Sequence, residues 1–148
     1  MRKIILPPIL LLTCLIGMIG LHQYGDTTPI ITGTLKNIGY LLIALGIALP
    51  VWGAQIFRRV ETNIIPYKSP DKLVTEGPFR FSRNPMYLGM VLVLSGTAVL
   101  LGILEGLYFV VFFFVVANWW YIPFEETKME KVFGDQFSTY RKQVRRWL

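Results

Sequence analysis

Four apolar stretches, at about residues 4–21, 35–57, 85–104 and 107–124, each approach the roughly 20 helical residues that a bilayer's hydrocarbon core demands. Hydrocarbon offers no partner to an exposed amide, so a segment that crosses it must be helical. At 148 residues, with 53% hydrophobic content and a mean hydropathy of +0.50, the chain has the length of one domain and the composition of a bilayer resident. The expected architecture is an all-α integral membrane protein with four transmembrane helices. The first stretch follows Arg2 and Lys3 as a signal peptide would, but it is long and no Ala-x-Ala-like cleavage pattern follows, so it reads as a retained anchor. Pro7 and Pro8 fall in its first turns, where a missing amide donor costs least, whereas Pro50 lies inside the second stretch and is expected to kink it. The one cysteine, Cys14, sits in an apolar run, so no intrachain disulfide forms and its expected role is packing.

Charge sets the orientation. Arg2 and Lys3 precede the first stretch, Arg58, Arg59, Lys68, Lys72, Arg80 and Arg83 lie between the second and third, and Lys128, Lys131, Arg141, Lys142, Arg145 and Arg146 follow the fourth. Only Lys36 falls on the other side. The positive-inside tendency therefore places both termini and the central loop in the cytoplasm, and His22 on the opposite face. The net charge of +6 is first a topology signal; with no basic groove of interleaved aromatics, no nucleic-acid partner is expected.

The turn at residues 102–106 is short enough only for an antiparallel hairpin of the third and fourth helices. The chain then returns to the cytoplasmic face at Asn118, Trp119, Trp120 and Tyr121, an aromatic cluster at interface depth, followed by Pro123 and the pair Glu125-Glu126. Beyond it, Met129, Val132, Phe133, Phe137, Tyr140, Val144 and Trp147 recur mostly at spacings of three and four. That pattern predicts a C-terminal amphipathic cytoplasmic helix, with a break near Gly134. A helix lying on anionic headgroups does not account for two carboxylates at its start, unless they serve the helix N-terminus or a cationic ligand.

The segment 77–89, Gly-Pro-Phe-Arg-Phe-Ser-Arg-Asn-Pro-Met-Tyr-Leu-Gly, is a charged, proline-marked loop running straight into the third stretch. The hairpin brings it to the same membrane depth as Glu125 and Glu126. The two can share a pocket made of helix-start amides, a permissive Gly89, aromatic faces at Phe79, Phe81 and Tyr87, the cation Arg83 and two carboxylates. Such groups suit a ligand with an aromatic ring, a carboxylate and a positive charge, features that S-adenosylmethionine combines.

Residues 72–89, Lys-Leu-Val-Thr-Glu-Gly-Pro-Phe-Arg-Phe-Ser-Arg-Asn-Pro-Met-Tyr-Leu-Gly, with Glu125-Glu126, Phe133-Gly134, Tyr140 and Arg145-Arg146-Trp147, resemble the isoprenylcysteine carboxyl methyltransferase family. The related phospholipid N-methyltransferases look similar in the same region. The resemblance covers roughly the C-terminal half, from Thr62 to Trp147. It implies a division into an N-terminal transmembrane hairpin, 1–57, and a cofactor-binding methyltransferase region, 58–148. It further implies an S-adenosylmethionine site at the cytoplasmic mouth of the helices, closed by the C-terminal segment. Lys72, Leu73, Val74 and Phe79 would then surround the cofactor together with Asn84, Pro85, Met86 and Tyr87, and Glu125 would meet its amino group, a charge-assisted bond of the strong kind. Gly89 and Glu126 complete the expected cofactor set, and Trp120 and Tyr121 face the substrate.

Two departures qualify the resemblance. Many members carry histidine where this chain has Asn84, which hydrogen-bonds but takes no charge, so its expected role is positional. The eukaryotic enzymes place an arginine about four residues before the acidic pair, near the substrate carboxylate, where this chain has Tyr121.

Methyl transfer from a sulfonium is an in-line displacement driven by alignment and water exclusion, with no metal required. Arg83 is the candidate catalytic residue, orienting an anionic group of acceptor or cofactor. The acceptor is expected to be lipophilic, a prenylcysteine-like carboxylate, a thiol or a lipid headgroup reached from the membrane. The setting fits a prokaryotic inner membrane. Two other classes are weighed. Membrane sterol reductases carry a similar Arg-Pro-Tyr motif and use NADPH, but continue with an acidic residue where this chain has Met90. A small four-helix transporter or scaffold is suggested by span count alone, and such exporters carry a carboxylate that the first two spans lack.

Overall fold

A computed structural model describes residues 6–61 and 71–148; Arg2, Lys3 and Lys68, which enter the orientation argument, lie outside the described residues. Helix α1 (Pro7–Tyr24) opens with both prolines in its first turn, as expected. A 3₁₀ turn (Gly33–Lys36) leads into α2 (Asn37–Arg59), and a second (Gly77–Arg80) precedes α3 (Pro85–Leu101). Helix α4 (Gly106–Val116) runs through a π-helical turn (Ala117–Tyr121) into α5 (Ile122–Phe133), and α6 (Asp135–Gln143) follows. Among the described residues the fold is helical throughout.

Among the described residues, three helices are long and apolar enough to cross a membrane: Pro7–Tyr24, Gly33–Arg59 and the continuous Gly106–Phe133. The last has 28 residues, about 42 Å at 1.5 Å per residue, so part of it must project beyond a hydrocarbon core about 30 Å thick. Helix α3 is apolar but has 17 residues, fewer than the stretch 85–104 implied. Gly102 stops it: with φ 76° the residue enters the left-handed region, and its N–H caps the carbonyls of Ala98 and Val99.

The α2–α3 contact positions everything downstream. Gly39, Gly46 and Gly53 recur every seventh residue as the buried face of α2. A Cβ built on Gly46 would sit 2.7 Å from the Gly89 carbonyl oxygen, and one on Gly96 would sit 2.6 Å from that of Gly39, so the two backbones touch. Without a hydrophobic force between helices in lipid, such small-residue seams supply the dispersion contact that holds them. On the other side of α3, Leu94 and Ala98 pack with Cys14 and Met18 of α1 and with Phe113 and Ile122. Cys14 is thus a buried packing residue. Ile16, Leu41 and Phe112 point outward.

The C-terminal region departs from the expected amphipathic helix in three ways. Glu125 and Glu126 are not at a free helix start, because α5 continues α4 and its amides are already engaged. Gly134 separates α5 from α6 at φ 50°, ψ −119°, a conformation that an L side chain strains to adopt. Beyond Gln143 the chain is not helical: Val144 is extended, at φ −118° and ψ 132°. The reason lies in the tail's carbonyls, which find side-chain and backbone donors at the start of α3.

Adding a methyl group at Gly89 would drive its Cβ to 2.5 Å from both the Gly46 oxygen and Pro50 Cδ, whereas at Gly20 it would meet nothing within 4 Å. Gly89→Ala is expected to lose about 1–3 kcal/mol through overpacking. Gly20→Ala should be neutral or stabilising. Thermal unfolding in detergent, followed by circular dichroism, should show a lower midpoint for the first variant only.

Candidate functional site

The site is assembled where the start of α3, the α4–α5 helix and the C-terminal tail meet. Pro85 at the first position of α3 forbids helical geometry before it, and Asn84 accordingly has φ −131°, ψ 54°. The resulting turn at Ser82-Arg83-Asn84 presents donors to the tail. The Arg83 N–H donates to the Arg145 carbonyl at 3.0 Å, and Asn84 Nδ2 donates to the Arg146 carbonyl at 3.0 Å. Ser82 Oγ donates to the same Arg146 oxygen at 3.3 Å while accepting from the Asn84 N–H at 3.1 Å.

The other side of the tail is held by the π-helical turn. Asn118 Oδ1 accepts from Trp147 Nε1 at 3.0 Å, and Arg146 Nη1 lies 3.4 Å from both the Asn118 carbonyl and its Oδ1. The Trp147 ring stacks on Phe114 with centroids 4.7 Å apart. π-Helical turns leave a carbonyl out of the i→i−4 ladder and concentrate at functional sites, and here the liberated groups receive the tail.

Glu126, 9% exposed, sits between two arginines. Its Oε2 accepts from Arg146 Nη2 at 2.7 Å, and its Oε1 lies 3.0 Å from Arg83 Nη2. The Arg83 contact is ionic without hydrogen-bond alignment, so Glu126 Oε1 and Arg83 Nε and Nη1 all lack a partner among the described residues. The Arg83 side chain is 9% exposed. Burial lowers its pKa from the usual arginine value; Glu126 opposes the change, and Arg141 and Arg146 add to it. The neighbouring carboxylate of Glu125 accepts from Tyr87 Oη at 2.6 Å, and the Tyr87 ring stacks on Tyr121 at 6.1 Å.

These groups border a small, partly open cavity of about 60 Å³ whose lining includes Leu73, Val74, Phe79, Arg83, Asn84, Glu125 and Glu126, all named from the sequence. Phe57, Met129, Phe137 and Tyr140 complete it. Phe57 meets Phe79 edge-on at 5.4 Å, and Tyr140 Oη donates to the Phe79 carbonyl at 2.7 Å. Burial pushes the Tyr140 phenol up to about 12, with Arg83 pulling the other way, so it stays a donor at neutral pH.

Other expected residues sit elsewhere. Gly89 faces Gly46 and Pro50 of α2, because the helix seam needs it there, and Met86 packs toward Gly53 of the same helix. Pro85 is buried at the first turn of α3. Lys72 is exposed and its Nζ donates to the Val60 carbonyl at 3.3 Å. Trp120 is exposed, whereas Tyr121 is buried against Tyr87. Phe81, expected to offer an aromatic face to the pocket, is 67% exposed and turned outward. Asn118, Ser82 and Phe137 were not singled out as site residues. For Asn118 a signal existed: a polar side chain near the end of an apolar stretch needs a partner.

Comparison with known proteins gives a consistent result. A family model described as phospholipid methyltransferase matches residues 35–136, well over half the chain. Protein-S-isoprenylcysteine O-methyltransferase B of Arabidopsis thaliana is 31% identical over 114 residues, covering 74% of this chain and 57% of that protein. A probable protein-S-isoprenylcysteine O-methyltransferase of Oryza sativa is 28% identical over 114 residues, covering 74% of this chain and 59% of that protein. An uncharacterized protein of Haemophilus influenzae is 40% identical over 63 residues, 43% of this chain and 100% of that protein. The chain thus spans less than two thirds of the length of the plant relatives. Apolar helices, a buried site at the start of α3 and a match that embraces both agree: the chain belongs to the phospholipid methyltransferase family.

Proposed function

We propose that this protein is an integral-membrane methyltransferase that uses S-adenosylmethionine and methylates a lipophilic acceptor. The observation that carries the proposal is the lining of one cavity: a buried guanidinium with two unpartnered N–H groups, a carboxylate fixed by a tyrosine, and an apolar wall of Leu73, Val74, Phe57 and Phe79. Those groups fit a molecule with an amino-acid end and a flat nucleoside. Arg83 Nη1, without a hydrogen-bond partner among the described residues, is a donor for its carboxylate. Glu125 is the acceptor for its ammonium, with Tyr87 holding the carboxylate in place. Asn84, fixed by the Arg146 carbonyl, shapes the floor rather than moving a proton.

When bound, the cofactor supplies an electrophilic methyl group on a sulfonium, which needs alignment with the acceptor more than acid or base assistance. The chain's own contribution is therefore to orient and to exclude water. Arg83 fixes one end, the aromatic wall keeps the site dry, and the Tyr87–Tyr121 stack forms the side nearest the lipid-facing Trp120. Tyr121 brings no cation to that side, which favours a thiol or lipid headgroup over a carboxylate acceptor. We further propose that α3 crosses the membrane as a fourth span, and that both termini and residues 58–84 lie on the cytoplasmic side of a prokaryotic inner membrane. The basic residues on that side support this orientation. Residues 1–57 would then form the supporting hairpin and 58–148 the methyltransferase region.

Calorimetric titration of the detergent-purified protein tests the assignment. S-adenosylmethionine and S-adenosylhomocysteine are expected to bind saturably and NADPH to give no heat; folded protein that ignores both adenosyl ligands overturns it. Glu125→Gln should weaken both about 10- to 100-fold, as loss of a hydrogen bond to a charged group implies. Arg83→Lys keeps a charge for Glu126 but loses the planar guanidinium and its Nη1 donor. It should weaken S-adenosylhomocysteine while leaving 5′-methylthioadenosine, which lacks the amino-acid end, within about twofold. Equal losses for the two ligands would remove Arg83 from the carboxylate site.

A further inference from the structure

The small cavity beside Arg83 has a neighbour. An open groove of about 440 Å³ is lined by Thr75, Arg80, Gln136, Thr139, Gln143 and Val144, and the only residues its lining shares with the cavity are Leu73 and Tyr140. Neither hollow alone suits a ligand of nucleoside size. The inner one, at about 60 Å³, holds about two water molecules, at roughly 30 Å³ each. The outer one has the volume of a small-molecule site but is open to solvent, with Thr75, Arg80, Gln136, Thr139 and Gln143 all exposed along it. Joined, they make one site with a charged, apolar interior and a polar mouth.

What separates them is mechanically slight. Tyr140, which lines both hollows, is held by a hydrogen bond from its Oη to the Phe79 carbonyl at 2.7 Å. Its helix, α6, has nine residues and buries two side chains, Phe137 and Tyr140. At its N-terminal end stands Gly134, at φ 50°, around which a Cβ would meet nothing within 4 Å, so no packed neighbour fixes the pivot. A short helix that buries two aromatic rings and begins at an unpacked glycine can tilt at its N-terminal end, while the tail beyond it stays bonded to Arg83 and Asn84.

We propose that the outer groove is the aqueous entrance to the inner cavity and that Tyr140 is its gate, admitting a ligand built of a nucleoside joined to a charged amino-acid chain. The proposal rests on the donor-binding reading above and adds the route and the moving part. The lipophilic acceptor, arriving from the membrane, then reaches the cavity from the Tyr121 side, so donor and acceptor do not compete for one door. Thr75, Gln136 and Thr139 offer hydroxyl and amide groups that replace the water hydrogen bonds of a sugar in transit.

As a gate, the bond from Tyr140 to Phe79 holds the shared wall with the site empty or filled, so breaking it speeds passage in both directions. Stopped-flow binding of S-adenosylhomocysteine to the full chain, followed by tryptophan fluorescence, reads this directly. Tyr140→Phe keeps the ring and removes the hydroxyl; association and dissociation rates should both rise about fivefold, as one net hydrogen bond implies, with Kd within about twofold. Thr139→Trp narrows the groove from an exposed position, and both rates should fall severalfold, again at constant Kd. The gate requires both results. Rates unmoved by either variant, or a changed Kd carried by dissociation alone, would mean that Tyr140 is a wall or a ligand contact and would overturn it. Wild-type protein that binds no adenosyl ligand overturns the donor reading and the gate together; wild-type binding with unaltered variant kinetics overturns the gate alone.

Discussion

Glu126 gathers two arginines that arrive from opposite directions, Arg83 from the start of α3 and Arg146 from the tail, and the geometry of the site hangs on that meeting. Taking such charges out of water costs several kcal/mol per ion, and only close, well-bonded pairing offsets it. Here the offset is incomplete. Arg146 is satisfied by Glu126 and the Asn118 carbonyl region, but Arg83 has an unaligned ionic contact and two nitrogens, Nε and Nη1, without hydrogen-bond partners among the described residues. One carboxylate serves two guanidinium groups, so the cluster is short of negative charge in the place where the cavity opens. A buried donor left unmatched costs about 1–3 kcal/mol, and a carboxylate ligand docking there recovers that cost as affinity.

That cluster is placed by a contact that contains no charge at all. Gly39, Gly46, Gly89 and Gly96 let α2 and α3 approach until backbone meets backbone, which fixes how far the first turn of α3 stands from the end of α2. Phe57, near that end, then reaches Phe79, and Met86 reaches Gly53. A bulkier seam would push α3 away and open the apolar wall of the cavity to water. Gly89 belongs to this seam, although its place in the Asn-Pro-x-Tyr-x-Gly motif makes it look like part of the ligand site.

Hydropathy alone located the apolar helices, because spanning hydrocarbon imposes length and composition together. The proline in Asn84-Pro85 marked the start of α3 for an equally local reason, since the residue before proline is excluded from helix. Where sequence reading went astray, the deciding forces were long-range. Apolar spacing through Val144 and Trp147 fits a helix, yet the Arg145 and Arg146 carbonyls pair with donors at Arg83 and Asn84, some 62 residues away, and the tail is drawn out of helical form. Phe81 sits among site residues but faces outward, because a 3₁₀ turn rotates each neighbour by about 120° and Phe79 takes the inward place. The acidic pair was recognised, but its division of labour was not legible: Glu125 bonds to a tyrosine and Glu126 to two arginines, an assignment that depends on which helix face meets α3.

The π-helical turn links these observations. An uninterrupted α-helix from Gly106 would place Glu125, seven residues beyond Asn118, within about 20° of its face and Glu126 about 80° from it. Inserting a wide turn at Ala117–Tyr121 shifts the register of everything after it by part of a turn. The shift allows Asn118 to reach the tail while Tyr121 and Glu125 both address Tyr87, and Glu126 turns to the arginines. A single helix thereby presents three different partners to three different elements within nine residues. An ordinary helix at this position would have to give up one of them, and losing Asn118 would leave the Trp147 indole N–H without this partner while its ring stayed stacked on Phe114.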